Sequence, residues 1–259
     1  MKLPEPIIIN PDSVPALNWG IIGPGGIAET FVGATQKHTA QRFAAVASRT
    51  PGRADEFASK FNIPKVHASY QDLVEDDELD AIYISSHQGD HFEHAMLALD
   101  AGKSILVEKP ITYFPDQARQ IFEKAAAKGL LAMEAMWTRY LPQSTILRQL
   151  LDSGELGTPE LFTASFCADN RAIERLWKPG GGGIVFDMGI YPIAMSQQIL
   201  GNPTSIKASG LVRPDGMDEE SYTVLNYESG ARASLVMSGI ASLPIAASCS
   251  FEKAIISFG

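Results

Sequence analysis

The first half of the chain alternates short apolar runs with amphipathic stretches, a rhythm that predicts a parallel α/β sheet. "LNWGIIG" reads as a buried strand, and "GGIAETFVGATQ" begins a helix directly after it. "RFAAVAS" is a second strand, and "PGRADEFASKF" is a helix with proline at its start. "DAIYISS" and "SILVEKP" are further strands, separated by the helix "DHFEHAMLALDAG", which Gly102 stops. "FPDQARQIFEKAAAKG" is a helix and "LLAMEAM" a strand. After Met136 the rhythm changes to a helix, "YLPQSTILRQLLDSGELG", strand-like "PELFTASFCAD", a glycine stretch and a second helix. From Pro203 onward, "TSIKASGLVR", "SYTVLNYES", "ARASLVMSGIA" and "AASCSFEKAIISFG" predict antiparallel strands. The pattern therefore predicts an extended arm at 1–16, a doubly wound domain at 17–136 and a second α/β domain at 137–259.

The composition narrows the function classes. The chain has 259 residues, 45% hydrophobic and 20% charged, as in a globular protein with two modest cores. Its net charge of −9 argues against a nucleic-acid or anionic-membrane surface. Cys167 and Cys249 form no CxxC pair, which predicts a reducing, cytoplasmic setting. No apolar run reaches the ~18 residues of a membrane span, and "MKLPEPIIINPDSVPALN" lacks the basic start and long apolar core of a signal peptide.

Three stretches carry chemistry. In "GIIGPGGIAETF", Gly23, Gly25 and Ala28 match G-x-G-x-x-G/A between a strand and a helix. Gly23 allows the tight turn, Gly25 the approach of a pyrophosphate, and Ala28 close packing of helix on strand. The phosphate is expected at the helix start, on the backbone of Gly25, Gly26 and Ile27. The end of the second strand, where NAD-binding folds offer a carboxylate to the ribose 2′-hydroxyl, instead reads "AVASRTPGR". Ser48, Arg49 and Arg53 suit a 2′-phosphate dianion, so NADP is predicted over NAD.

In "VEKP", Glu108, Lys109 and Pro110 end a strand at the carboxyl edge of the sheet, where ligands of such folds bind. In "GGGGIVFDMGIYPI", Asp187 and Tyr191 are four residues apart and predicted to share a helix face, with small Gly189 between them leaving room for reacting groups. Hydride transfer to or from an alcohol carbon needs a partner for the hydroxyl proton. Tyr191 is the candidate, with the Lys109 ammonium favouring its phenolate and Asp187 orienting substrate or lysine.

These motifs, in this order and spacing, resemble the Gfo/Idh/MocA oxidoreductase family. The resemblance runs from Leu17 onward and rests on the glycine turn, "SSHQGDHFEHAMLALDAGKSILVEKP" and "GGGGIVFDMGIY". It implies an N-terminal Rossmann domain and a C-terminal α/β domain on an open, largely antiparallel sheet, whose face forms a homodimer. The family's EKP lysine corresponds to Lys109, and its D-x-G-x-H motif to Asp187, Gly189 and Tyr191, with tyrosine replacing histidine. That replacement, with "MEAMWTRYLP", is similar to the branch of dihydrodiol dehydrogenases and NADP-linked xylose dehydrogenases. The resemblance implies a sugar, cyclic polyol or dihydrodiol substrate. It places Trp137 and Arg139 near cofactor or substrate, and Ser86, His87 and His91 beside the nicotinamide ribose. Two alternatives stay open, a glucose–fructose oxidoreductase-like enzyme that holds NADP tightly and a dinucleotide sensor without turnover.

Two other clusters give weaker signals. His87, His91 and His94 have metal-ligand spacing, but no HExxH or nearby cysteine completes a site, so no metal is expected. Arg175 and Trp177 read as an ion pair and packing before the glycine stretch. Family members continue for several tens of residues beyond the equivalent of "SFEKAIISFG", which implies either a truncated chain or a shortened second domain.

Overall fold

The structure, a computed structural model, describes residues 2–178 and 182–259. Chain contacts divide it into two compact units: Ile8–Met136, and Trp137–Gly259 together with the segment up to Ile7.

The first unit is built on β1 (Asn18–Ile22), α1 (Gly26–His38), β2 (Arg42–Ala47), α2 (Arg53–Phe61) and β3 (Lys65–His67). It continues through α3 (Tyr70–Val74), β4 (Ala81–Ile84), α4 (His91–Asp100), β5 (Ser104–Val107), α5 (Pro115–Lys128) and β6 (Ala132–Glu134). The strands form one parallel sheet in the order β3-β2-β1-β4-β5-β6, the doubly wound order predicted. Both faces are covered, which is why β4 is apolar at every position. Ile21, Val46 and Tyr83 pack on one side with α1 and α2, while Ile22, Ile82 and Ile84 pack on the other with α3, α4 and α5. Two expectations change. Pro51 precedes α2 rather than starting it, because Gly52 turns the chain at φ 75° and α2 begins at Arg53. β3 and α3 were not foreseen, since three residues and five residues are too short to show a period.

The second unit contains α6 (Pro142–Ser153), β7 (Pro159–Cys167), α7 (Ile190–Leu200), β8 (Ser205–Val212), β9 (Asp218–Asn226), β10 (Arg232–Ser238), β11 (Ala246–Phe251) and β12 (Ile255–Phe258). The sheet order is β12-β11-β7-β10-β9-β8. Only β7 and β10 run parallel; the other neighbours among the described residues are antiparallel, so the sheet is mixed. "AASCSFEKAIISFG" is two strands, β11 and β12, rather than one. Phe162, Leu225, Leu235 and Cys249 form the inner face with Leu147, Leu150 and Ile199 of the helices. The opposite face is open, with Leu161, Tyr222, Val224 and Ile255 exposed, and β8 is exposed along its whole length. The N-terminal segment is tied to α6 within this unit: the Ile7 N–H donates to Thr145 Oγ1 at 2.9 Å, and Gln149 Nε2 donates to the Glu5 carbonyl at 2.9 Å. Among the described residues no helix is long and apolar enough to cross a membrane.

Candidate active site

The nucleotide half lies at the carboxyl edge of the parallel sheet. β1 ends at Ile22, flanked by Ala47 of β2 and Ile84 of β4, and the chain turns there into α1. Gly23 has φ +81°, and a Cβ on it would stand 2.6 Å from Ser86 Cα. Only glycine meets both demands. At Gly25 a Cβ would meet just the Gly23 oxygen at 3.9 Å, and at Gly26 nothing within 4 Å. The turn is therefore open to a ligand, and the first N–H groups of α1, beginning at Gly26 and Ile27, lack intrahelical acceptors. Ala28 is fully buried, as close packing of α1 requires. The residues present fit a dinucleotide pyrophosphate at this helix start.

Around the turn, the residues singled out in the sequence have particular partners. Ser48 Oγ accepts from the Thr50 N–H at 3.1 Å, and Arg53 Nε donates to the Pro24 carbonyl at 2.9 Å. Arg49 Nη2 donates to Asp90, and the Arg53 guanidinium lies 3.6 Å from Glu29. The cations stand at the end of β2 as predicted, but Asp90 and Glu29 are counter-ions that no local sequence signal reveals. His87 enters the turn Gln88–Asp90 after β4. His91, expected beside the nicotinamide ribose, is instead fully buried, and burial lowers its pKa. Its Nδ1 faces the Pro110 carbonyl at 2.9 Å and its Nε2 the Ser86 carbonyl at 3.1 Å, so the ring braces two loops and has no nitrogen left for a ligand. Ser86 Oγ bonds His94 Nδ1 at 2.8 Å.

Glu108 is a half-buried brace beside its neighbour Lys109. Its Oε1 accepts from the Tyr83 hydroxyl at 2.6 Å, and its Oε2 from the Lys109 N–H at 3.2 Å. Burial pushes the Glu108 carboxyl up, and burial next to that carboxylate pushes Tyr83 up as well. Tyr83 was missed as a site-supporting residue. The available signal was a single phenol in the apolar run "AIYIS", which needs a buried partner.

The second unit holds the other candidate residues. Val185–Gly189 forms a π-helical turn that runs into α7, with Asp187 in the turn and Tyr191 in the first turn of α7. Gly180 and Gly181 of the glycine stretch lie outside the described residues. Gly189 is buried against the sheet: a Cβ there would meet Met237 of β10 at 3.4 Å, so the position faces β10. Arg175 Nη1 lies 3.4 Å from Asp187 Oδ1, forming an ion pair, and Trp177 Nε1 donates to the Asn170 carbonyl at 3.0 Å.

Tyr191 has an aromatic setting. Trp137 Nε1 donates to its hydroxyl oxygen at 3.1 Å, and the two rings meet edge to face with centroids 5.9 Å apart. Phe166 of β7 packs on the same phenol at 5.5 Å. A cavity of about 420 Å³ opens here, lined by these three rings with Arg139, Met195 and Ile245 among others. That is the size of a small-molecule site. Arg139 Nη2 donates to Gln197 Oε1 at 3.4 Å. An indole N–H can only donate, so the Tyr191 oxygen accepts here and its own proton is directed elsewhere.

Comparison with known proteins agrees with this architecture. Residues 17–136 match the oxidoreductase family with the NAD-binding Rossmann fold, and residues 145–252 match the GFO/IDH/MocA C-terminal domain. The chain is 36% identical over 244 residues to trans-1,2-dihydrobenzene-1,2-diol dehydrogenase of Mus musculus, covering 92% of this chain and 73% of that protein. It superimposes on a 3-ketoreductase from Actinomadura kijaniata, solved with TDP-benzene and NADP, with a TM-score of 0.79 and 29% identity over 93% of this chain and 75% of that one. GenD2 from gentamicin A biosynthesis, solved with NAD, shares the fold with a TM-score of 0.86 at 17% identity, covering 97% of this chain and 74% of that one. The chain thus belongs to the Gfo/Idh/MocA oxidoreductase family, as a dehydrogenase that joins an NAD(P)-binding Rossmann domain to the family's C-terminal domain.

Proposed function

We propose that the protein is an NADP-dependent oxidoreductase that moves hydride between nicotinamide and a sugar, cyclic polyol or dihydrodiol, with Tyr191 exchanging the hydroxyl proton. The observation that carries this reading is the Trp137 indole donating to the Tyr191 oxygen at the wall of an apolar cavity. The indole fixes the orientation of the phenol, which in this reading passes its proton to a substrate oxygen and takes one back. Bound nicotinamide supplies or accepts the hydride. Lys109 takes its role in this reading from the family's EKP motif; Glu108 accepts from its N–H and from the Tyr83 hydroxyl. Asp187, paired with Arg175, orients the helix start that carries Tyr191.

The aromatic lining, Trp137, Phe166 and Tyr191, favours a flat ring bearing vicinal hydroxyls among the three substrate classes. The relative named for dihydrobenzenediol oxidation supports the same choice. Ser48, Arg49 and Arg53, in place of a carboxylate at the end of β2, favour NADP. The open sheet face with exposed Tyr222, Val224 and Leu161 suits a second copy of the chain, and the buried free thiols of Cys167 and Cys249 suit the cytoplasm.

The test is a fluorescence titration with NADPH and NADH, for wild type and Arg49→Ala. NADP reduction on a panel of pentoses, hexoses, inositols and dihydrodiols is then assayed on the same samples. Tight NADPH binding that weakens in the variant, with turnover on a panel member, supports the reading. Equal affinity for the two cofactors contradicts the NADP assignment, and tight binding without turnover contradicts the enzyme.

A further inference from the structure

The ends of β2 and β4 are joined by one ion pair. Ile22, the last residue of β1, is registered against Ala47 on one side and Ile84 on the other. Arg49 lies two residues beyond Ala47, and Asp90 ends the turn Gln88–Asp90 that follows β4. Arg49 Nη2 donates to Asp90 Oδ2, so the pair ties together the two segments flanking β1 and its Gly23 turn. This is the crevice that a dinucleotide occupies in such sheets. The guanidinium also lies over the Tyr70 ring, 6.0 Å from its centroid. Tyr70 stands edge-on to His94 at 4.7 Å, and His94 bonds Ser86 Oγ at 2.8 Å. The cation that the NADP reading assigns to the 2′-phosphate is therefore already held by a carboxylate from across the crevice.

We propose that Asp90 is a specificity-determining counter-ion: it competes with the cofactor's 2′-phosphate for Arg49 and so weakens NADP binding without affecting NAD. The proposal rests on the 2′-phosphate reading of Arg49. The pair is exposed, with side-chain exposures of 58% for Arg49 and 29% for Asp90, so it is weak and exchangeable. A phosphate dianion arriving at Arg49 must displace the carboxylate or sit beside it, and like charges at that distance repel. A ribose 2′-hydroxyl makes no such demand. The neutral Tyr70 ring beside the guanidinium, 6.0 Å from its centroid, attracts the cation without competing as an anion for it. Asp90 thus sets the margin between the two cofactors from the loop that follows β4.

The experiment measures NADPH, NADH, 2′,5′-ADP and 5′-ADP affinities of wild type, Asp90→Asn, Asp90→Ala and Arg49→Ala, with melting temperatures confirming folding. Both Asp90 variants are expected to bind NADPH and 2′,5′-ADP about 2- to 5-fold more tightly, the size of a surface ion-pair effect. NADH and 5′-ADP affinities stay as in wild type. A steeper loss of NADPH affinity with salt accompanies the tightening, because Arg49 then meets the phosphate without its internal partner. The proposal is overturned if the Asp90 variants weaken NADPH binding as Arg49→Ala does, which makes Asp90 an orienting residue. It is also overturned if NADPH and NADH affinities move together. If Arg49→Ala leaves the NADPH preference intact, the 2′-phosphate reading itself has failed, and that arm shows it independently of Asp90.

Discussion

The parallel-sheet unit and the mixed-sheet unit each hold a tyrosine hydroxyl in a hydrogen bond, and the two bonds run in opposite senses. Tyr83 donates to the Glu108 carboxylate at 2.6 Å from a fully buried position, and burial pushes its ionisation well beyond the ordinary phenol range. Its proton is locked. Tyr191 instead accepts from the Trp137 indole at 3.1 Å beside a cavity of about 420 Å³. A phenol that donates to a carboxylate has its proton committed to that bond; one that accepts from a donor-only group does not commit its proton to that partner. The same residue type sits in opposite hydrogen-bond settings because its neighbours differ, which residue identity alone does not reveal.

The comparison breaks most visibly at Tyr191. Tyr191→Phe is expected to lower kcat by about 10²- to 10⁴-fold, the usual contribution of a positioned acid/base, while NADPH affinity in a fluorescence titration is unchanged. Tyr83→Phe should show the reverse. Removing the donor leaves the half-buried Glu108 one hydrogen bond short, costing about 1 kcal/mol in a denaturant melt, with turnover nearly unchanged. Trp137→Phe keeps an aromatic ring at the cavity wall and deletes the N–H together with the rest of the pyrrole ring. It should lower kcat about tenfold, equivalent to about 1.4 kcal/mol, with little change in melting temperature.

The smallest effect is a control confined to the parallel-sheet unit. Asp76 accepts from Lys65, His67 and the Glu78 N–H, each at 3.0 Å. Burial pushes its carboxyl up, but these donors outweigh burial and hold it at about 2, below the ordinary 3.8. A depressed carboxyl contributes stability that is fully present above its unfolded value and is lost as pH falls through the folded one. Melting temperature should therefore drop as pH falls from about 4 to about 2, and Asp76→Asn should flatten that drop without changing kcat at neutral pH.

The fold was largely legible because its signals are local. The glycine turn announces itself since Gly23 needs a positive φ and has Ser86 Cα at its back, and both constraints leave glycine in the sequence. The helix stop at Gly102, with φ 77°, is legible for the same reason. β3 and α3 were silent because "KVH" and "YQDLV" are shorter than the periods that betray a strand or helix. β11 and β12 merged because "EKA" at their turn contains no glycine or proline. In the candidate site, residue types were readable but partners were not. Nothing near Arg49 in the sequence points to Asp90, forty-one residues away. Nor does "DMGIY" show that Gly189 faces Met237 rather than a substrate. His91 was placed beside the nicotinamide ribose by the family resemblance alone, while its burial between two carbonyls is a tertiary fact.

The most direct test of the central claim is single-turnover hydride transfer, followed by nicotinamide absorbance in a stopped-flow instrument. Wild type and Tyr191→Phe, both saturated with cofactor, would be mixed with the panel substrate that wild type turns over. If Tyr191 exchanges the proton, the hydride-transfer phase itself slows by about a hundredfold or more in the variant. If that phase keeps the wild-type rate while only steady-state turnover falls, Tyr191 acts in product release, and the assignment of the proton to this phenol is wrong.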